Sequence, residues 1–195
     1  MSYHRLWVEA LPYLNVRNND EHTRYSFRFA EQLVEHCHAR PEIALPAIVL
    51  HDVGWSTVPP DKLLGSFGPQ IRYPELRRQH EVEGARIAAQ ILADLSYPAP
   101  IVAAVTTIID GHDTRPEPLS VEDAVVKDAD KLWLFTPLGL EIVAGWFSYS
   151  VAQYLLFLSG LVSARLYTEP GRQMAAGLLV ALRAKHQPTP PGTHD

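Results

Sequence analysis

The sequence predicts an all-α fold, a single-domain helical bundle, on three observations. Apolar residues recur at three- and four-residue intervals through most of the chain, prolines and glycines separate those stretches, and none alternates apolar with polar residues as a half-buried strand does. With 195 residues, 47% of them hydrophobic, the chain can build one sizeable core. No internal repeat and no low-complexity block divides it. The helical domain is expected over residues 1–186. The remainder, QPTPPGTHD (187–195), has three prolines and no periodic apolar residue, and is expected to be a disordered tail.

The elements follow in order. Asn18, with Glu21 three residues later, has the form of a capping box, and His22, Ser26, Phe29, Ala30, Leu33 and Cys37 continue a helical stripe that ends near Arg40-Pro41. A short apolar helix, about Pro46 to Val53, stops at Gly54 and places His51 and Asp52 in its last turn. Residues 55–73 hold Pro59, Pro60, Gly65, Gly68 and Pro69 and predict a long irregular loop, a lid in the functional reading. Pro74 opens a helix whose inner face carries His80, Gly84, Ile87, Ala88, Ile91 and Leu95. The run PAPIVAAVTTIIDGH is a further apolar helix, stopped at Gly111 with His112 just beyond. Ser120 caps the next, whose stripe of Val126, Asp130, Trp133 and Leu134 sets a carboxylate among core positions. Two more helices, about 138–167 and 171–186, complete the chain.

Composition narrows the partners. A net charge of -5 gives no general reason to bind a nucleic-acid polymer, so none is expected. The single cysteine, Cys37, has no intramolecular partner, and the start MSYHRLWVEALPYL lacks the pattern of a secretory signal; a cytoplasmic location is the expectation. Ile142 to Ala164 has no charged residue and is long enough to cross a bilayer, but its serines, Gln153, Gly145 and Gly160 favour a helix buried among helices, and no membrane association is expected. The apolar C-terminal helices serve either to close the core or as a homodimer interface.

The chemistry lies in inward-facing polar residues. His51-Asp52 follows an apolar run, and His22, His80, His112 and Asp130 lie on, or just past, the buried side of different helices. Taken singly, each is ordinarily a hydrogen-bonded core group. Taken together, they present carboxylates and imidazoles whose burial costs free energy unless a positive partner compensates it, and a divalent metal resolves all of them at once. The donors suit iron, manganese, nickel, cobalt or zinc. His4, His36, His38, His186 and His194 sit in polar or terminal contexts and receive no role.

The order His…His-Asp…Asp, in the segments HTRYSFRFAEQL, ALPAIVLHDVGW and VVKDADKLWLF, resembles the HD-domain metal-dependent phosphohydrolase superfamily over about residues 18 to 135. The resemblance implies a first metal held by His22, His51, Asp52 and Asp130. Asp128 competes for the last role but lies about 200° around the helix. Dinuclear members add two histidines between the doublet and the final aspartate, and His80 and His112 stand in that order, with Asp52 then bridging two ions. One or two divalent ions are thus implied.

The implied activity is hydrolysis of a small phosphate ester or nucleotide by metal-activated water, with Asp52 essential to catalysis. Lys131, Arg24, Arg72 and Arg115 are the candidate cations for the phosphoryl oxygens. Trp55 occupies a position where many family members carry lysine or glutamate, and either stacks on a base, closes an apolar pocket or packs in the core or lid. No Gly-Tyr-Pro motif follows the histidines, which argues against a cyclic-di-GMP phosphodiesterase. Two alternatives stand: a di-iron oxygenase cleaving a carbon–phosphorus or carbon–carbon bond, for which Tyr13 upstream of His22 is the suggestive residue, and a non-catalytic nucleotide-sensing module.

Overall fold

In the computed structural model, which describes residues 3–186 apart from the Ser163 side chain, all the described regular elements are helices. The expected tail, 187–195, lies outside the described residues. The first helix, α1 (His4–Leu14), is not among the sequence expectations, yet its Leu6, Ala10 and Leu14 repeat every four residues and are buried together. Between α1 and α2 (Asn19–Cys37) the chain turns sharply, with Arg17 and Asn18 in the left-handed region at φ 55° and 61°. The expected capping box is absent, because Asn18 makes no side-chain cap bond. Asparagine is used instead for its tolerance of left-handed backbone. His22, Thr23, Ser26, Ala30 and Leu33 form the buried stripe of α2.

Helix α3 (Pro41–Leu50) starts five residues earlier than expected, because Pro41 supplies its first turn rather than ending the preceding stretch. Every residue from Ile43 to Leu50 is buried, which makes it the central rod, packed against α2, α5 and α6. It ends at Leu50, so His51 caps it and Asp52 follows outside. The 55–73 loop is shorter in irregular structure than expected, since 3-10 turns cover Val53–Thr57 and Leu63–Gly65. Helix α4 (Pro74–Asp94) begins at Pro74 as expected. Helix α5 (Ala99–Ile109) ends before Gly111, which has φ 129° and needs glycine there. Ser120 accepts a hydrogen bond from the Asp123 N–H at 3.2 Å and caps α6 (Val121–Leu132).

The helix expected over 138–167 is two helices, α7 (Pro137–Phe147) and α8 (Val151–Ala164), bent by 111°. Ser148 turns left-handed at φ 54°, and a Ser150–Gln153 capping box starts α8 afresh. Among the described residues no single helix is long and apolar enough to cross a membrane. Helix α9 (Glu169–Lys185) packs on α6 and α8. Its start is fixed by buried Asp128, which accepts from the Tyr167 N–H (2.8 Å), the Thr168 N–H (2.8 Å) and the Thr168 hydroxyl (2.6 Å).

Candidate metal centre

Six side chains converge from five places in the fold. His22 comes from the first turn of α2, His51 and Asp52 from the end of α3, His80 from α4, His112 from the turn after α5 and Asp130 from α6. His51 Nδ1 lies 2.8 Å from the Ile48 carbonyl and His112 Nδ1 2.9 Å from the Ile109 carbonyl. A carbonyl can only accept, so each Nδ1 carries the proton and each Nε2 can aim a lone pair inward.

Those lone pairs meet other acceptors. His51 Nε2 lies 3.0 Å from His22 Nε2, and Asp130 Oδ1 lies 3.3 Å from the His22 and 3.6 Å from the His51 nitrogen. Asp52 Oδ2 faces the same two nitrogens at 3.4 and 3.6 Å. Its other oxygen, Oδ1, faces a second group, 3.6 Å from His112 Nε2 and 3.9 Å from His80 Nε2, these two being 3.4 Å apart. Donors held at about 2.1 Å from one ion stand roughly 3.0 to 3.4 Å from each other in octahedral or tetrahedral arrays. The closest pairs, at 3.0 to 3.4 Å, match that spacing and the rest, at 3.6 to 3.9 Å, are wider, so these groups could hold a divalent ion, which would compensate the facing lone pairs.

A family model of the HD domain matches residues 19–133, more than half of the chain and all six converging residues. The chain belongs to the HD-domain family. No curated protein and no solved structure gives a significant match. The doublet that names the family is His51-Asp52 here, and α1 and α7 to α9 lie outside the matched region.

Two glycines let this HD doublet reach its partners. A Cβ on Gly54 would lie 1.9 Å from the His80 carbonyl oxygen and 2.6 Å from the Gly84 N, so the turn after the doublet is pressed directly on the backbone of α4. On Gly84 a Cβ would meet Gly54 N at 3.4 Å. Trp55, one residue on, is buried. Its Nε1–H donates to Asp52 Oδ1 at 3.0 Å, and its ring stacks on His80 at 3.8 Å with 10° between planes. Its ring is thus committed to the protein's own imidazole, which is the packing reading of Trp55 rather than base stacking, although its edge lines the cleft. Behind His112, buried Glu81 accepts from the Asp113 and Thr114 N–H groups (both 2.8 Å), and Lys127 Nζ donates to the Gly111, His112 and Arg115 carbonyls. That turn is held from both sides.

Burial pushes the Asp52 carboxyl up, but His51, the hydrogen bond with His112, His22 and Arg17 outweigh it and hold Asp52 well below the usual carboxylate range. Asp130 is held low in the same way, burial being overcome by Lys131 first and then His22 and His51. Burial lowers His112, yet Asp52 and Asp113 reverse the effect and raise it to about 9, while burial and the neighbouring His112 drop His80 to about 4. The neighbouring carboxylates thus favour positive charge beside Asp52, which a proton or a metal ion can supply.

The centre opens into a cleft of about 290 Å³. Of the cations chosen from the sequence, Lys131 lines it, paired with Asp130 and, at 3.5 Å, with Asp113. The other three do not line that cleft, although Arg115 lines the small adjoining pocket with His112 and Lys131. Exposed Arg24 lies over the Trp7 ring, exposed Arg72 over Tyr73, and Arg115 donates to Asp123 Oδ2, the Thr107 carbonyl and the Asp110 carbonyl as a structural tie. Arg17 and Arg77 line the main cleft. Arg17 is half-buried beside Asp52 (Nη2 to Oδ2 3.4 Å), its guanidinium 4.0 Å from the Phe67 ring centre. Arg77 grips Asp113 through Nε to Oδ2 at 2.9 Å and Nη2 to Oδ1 at 2.8 Å. The position of Arg77, three residues before His80 on one helix face, was a usable signal; Arg17, on irregular backbone, offered none.

Proposed function

We propose that this HD-domain protein is a metal-dependent phosphohydrolase acting on a small phosphate ester, in which His22, His51, Asp52 and Asp130 would hold one divalent ion and Asp52, His80 and His112 a second. The observation that carries the reading is the division of Asp52, one oxygen toward His22 and His51 and the other toward His80 and His112. Bound there, divalent ions supply Lewis acidity, activating water and polarising a phosphoryl oxygen.

The chain's own residues do the rest. Arg17, Arg77 and Lys131 line the cleft beside Asp52, Asp113 and Asp130, and their positive charge receives phosphoryl oxygens as negative charge gathers on them. Trp55 fixes the Asp52 carboxylate, and its stack on His80 fixes the imidazole. In the overall step an oxygen from water bonds to phosphorus as the bond from phosphorus to the ester oxygen breaks, giving an alcohol and inorganic phosphate. Tyr13, the residue that suggested an oxygenase, lies on α1 and is not among the residues lining the cleft.

The test is phosphate release from phosphomonoesters, nucleotides and phosphodiesters by protein loaded with Mn²⁺, Co²⁺, Ni²⁺ or Fe²⁺. The expected result is release from a monoester that Asp52→Ala abolishes together with metal retention. If Asp52→Ala kept both metal and turnover, the proposal would be wrong.

A further inference from the structure

Beyond the metal centre the cleft changes character. An unbroken series of ring contacts leaves the centre at His22: Trp133 at 4.8 Å, then Trp146 (6.4 Å), Phe67 (5.7 Å), Phe147 (5.8 Å), Tyr149 (6.2 Å) and Phe157 (6.2 Å). All six line the cleft, and all but Trp133 are half-buried, so they keep surface to offer. Leu134, Val143 and Leu161 fill between them. The charged lining residues gather toward the metal centre, with Arg17 at the junction, its guanidinium over the Phe67 and Trp146 rings. Arg17 and Arg77 are tied to Asp52 and Asp113, and Arg165 shares a small adjoining pocket with Lys131 and His112. Along the ring-lined part, the polar side-chain groups among the described lining residues are the Tyr149 hydroxyl and the indole N–H groups of Trp133 and Trp146, and of these the hydroxyl alone can accept a hydrogen bond.

Resting on the phosphohydrolase reading above, we infer that the alcohol carried by the phosphate is apolar, an alkyl or aryl group, rather than a nucleoside. A nucleobase and ribose would bring several hydroxyl and amino donors into a sleeve whose side chains offer two indole N–H groups and a single hydroxyl acceptor, and unmet polar groups there weaken binding. An alkyl or aryl group loses nothing by leaving water and gains contact with every ring. Charge gathered at the centre and rings running away from it assign the two ends of the ligand: phosphate at the metal centre beside Arg17, apolar body toward α7 and α8.

The probes are methyl-, butyl- and octylphosphonate, titrated calorimetrically into the metal-loaded full chain without oxygen, beside the phosphonate analogue of adenosine 5′-monophosphate. Affinity is expected to rise by up to roughly fourfold per methylene, and by at least about a hundredfold from methyl to octyl. Phe157→Ala is expected to remove at least about tenfold of that gain, and Val180→Ala, on the exposed face of α9, none of it. Equal binding of methyl- and octylphosphonate, or tighter binding of the adenosine analogue than of octylphosphonate, overturns the inference. The outcome for hydrolysis is read separately. Chain-length-dependent binding without phosphate release from octyl phosphate leaves the sleeve standing and removes the hydrolase, whereas phosphate release with flat chain-length dependence removes the sleeve alone.

Discussion

Gly54→Ala adds a single methyl group at the place where the turn after the His-Asp doublet touches α4. The new Cβ would sit 1.9 Å from the His80 carbonyl oxygen and 2.8 Å from its carbon, both backbone atoms that no rotamer change can move. Ordinary contact begins at 3.4 Å, so the turn or α4 must shift by about 1.5 Å. Asp52 lies two residues before Gly54 and Trp55 directly after it, and the shift carries them away from His80. Metal ligands tolerate about 0.2 Å. The second donor group, already at 3.9 Å between Asp52 Oδ1 and His80 Nε2, is therefore expected to lose its ion while His22, His51 and Asp130 keep theirs. Overpacking of this kind costs about 3 kcal/mol, and an ångström of misplacement lowers turnover about a hundredfold. Urea unfolding, metal content per chain and steady-state kinetics read the three effects. A Gly54→Ala protein with unchanged stability, metal content and turnover would refute the reasoning.

Trp55→Phe keeps a ring on His80 but removes the donor to Asp52 Oδ1, and metal affinity measured by calorimetric titration is expected to fall about 10- to 100-fold; unchanged affinity would deny Trp55 its role. Asp128→Asn and Asp130→Asn separate two neighbours: the first is expected to lose about 1–3 kcal/mol in urea unfolding with metal content intact, because Asp128 holds the start of α9, and the second to lose metal. The reverse assignment would contradict the geometry. Glu81 supplies a pH test. Burial raises its pKa, but Thr114, His112 and Arg78 outweigh burial and bring it below 4.5. Its contribution is complete above about pH 4.5 and is lost as pH falls through the lower folded value. The stability gap between the metal-free natural chain and Glu81→Gln should accordingly close on acidification; a gap that widens would reverse the sign.

The metal-centre residues were legible because burying imidazoles and carboxylates on apolar helix faces calls for a common partner, and helical spacing shows which side each occupies. His80 and Asp130 were found by that periodicity, and His112 by its place after a glycine stop. Other features left no such trace. Ser148 takes a left-handed backbone that glycine would have announced, so α7 and α8 read as one helix. Asn18 carries a capping residue's signature while serving a turn. Closeness in sequence to the converging residues does not show which cations line the cleft, because adjacent positions on a helix point about 100° apart. Arg24, two residues from His22, faces Trp7, whereas Arg77 shares a face with His80. Arg17 reaches Asp52 from a turn, where no periodicity predicts direction.

Anomalous diffraction from crystals of manganese-loaded protein tests the bridged centre most directly. The account predicts two peaks flanking the Asp52 carboxylate, one among His22, His51 and Asp130 and the other beside His80 and His112. A peak on one side of Asp52 alone at saturating manganese, or none, would contradict it.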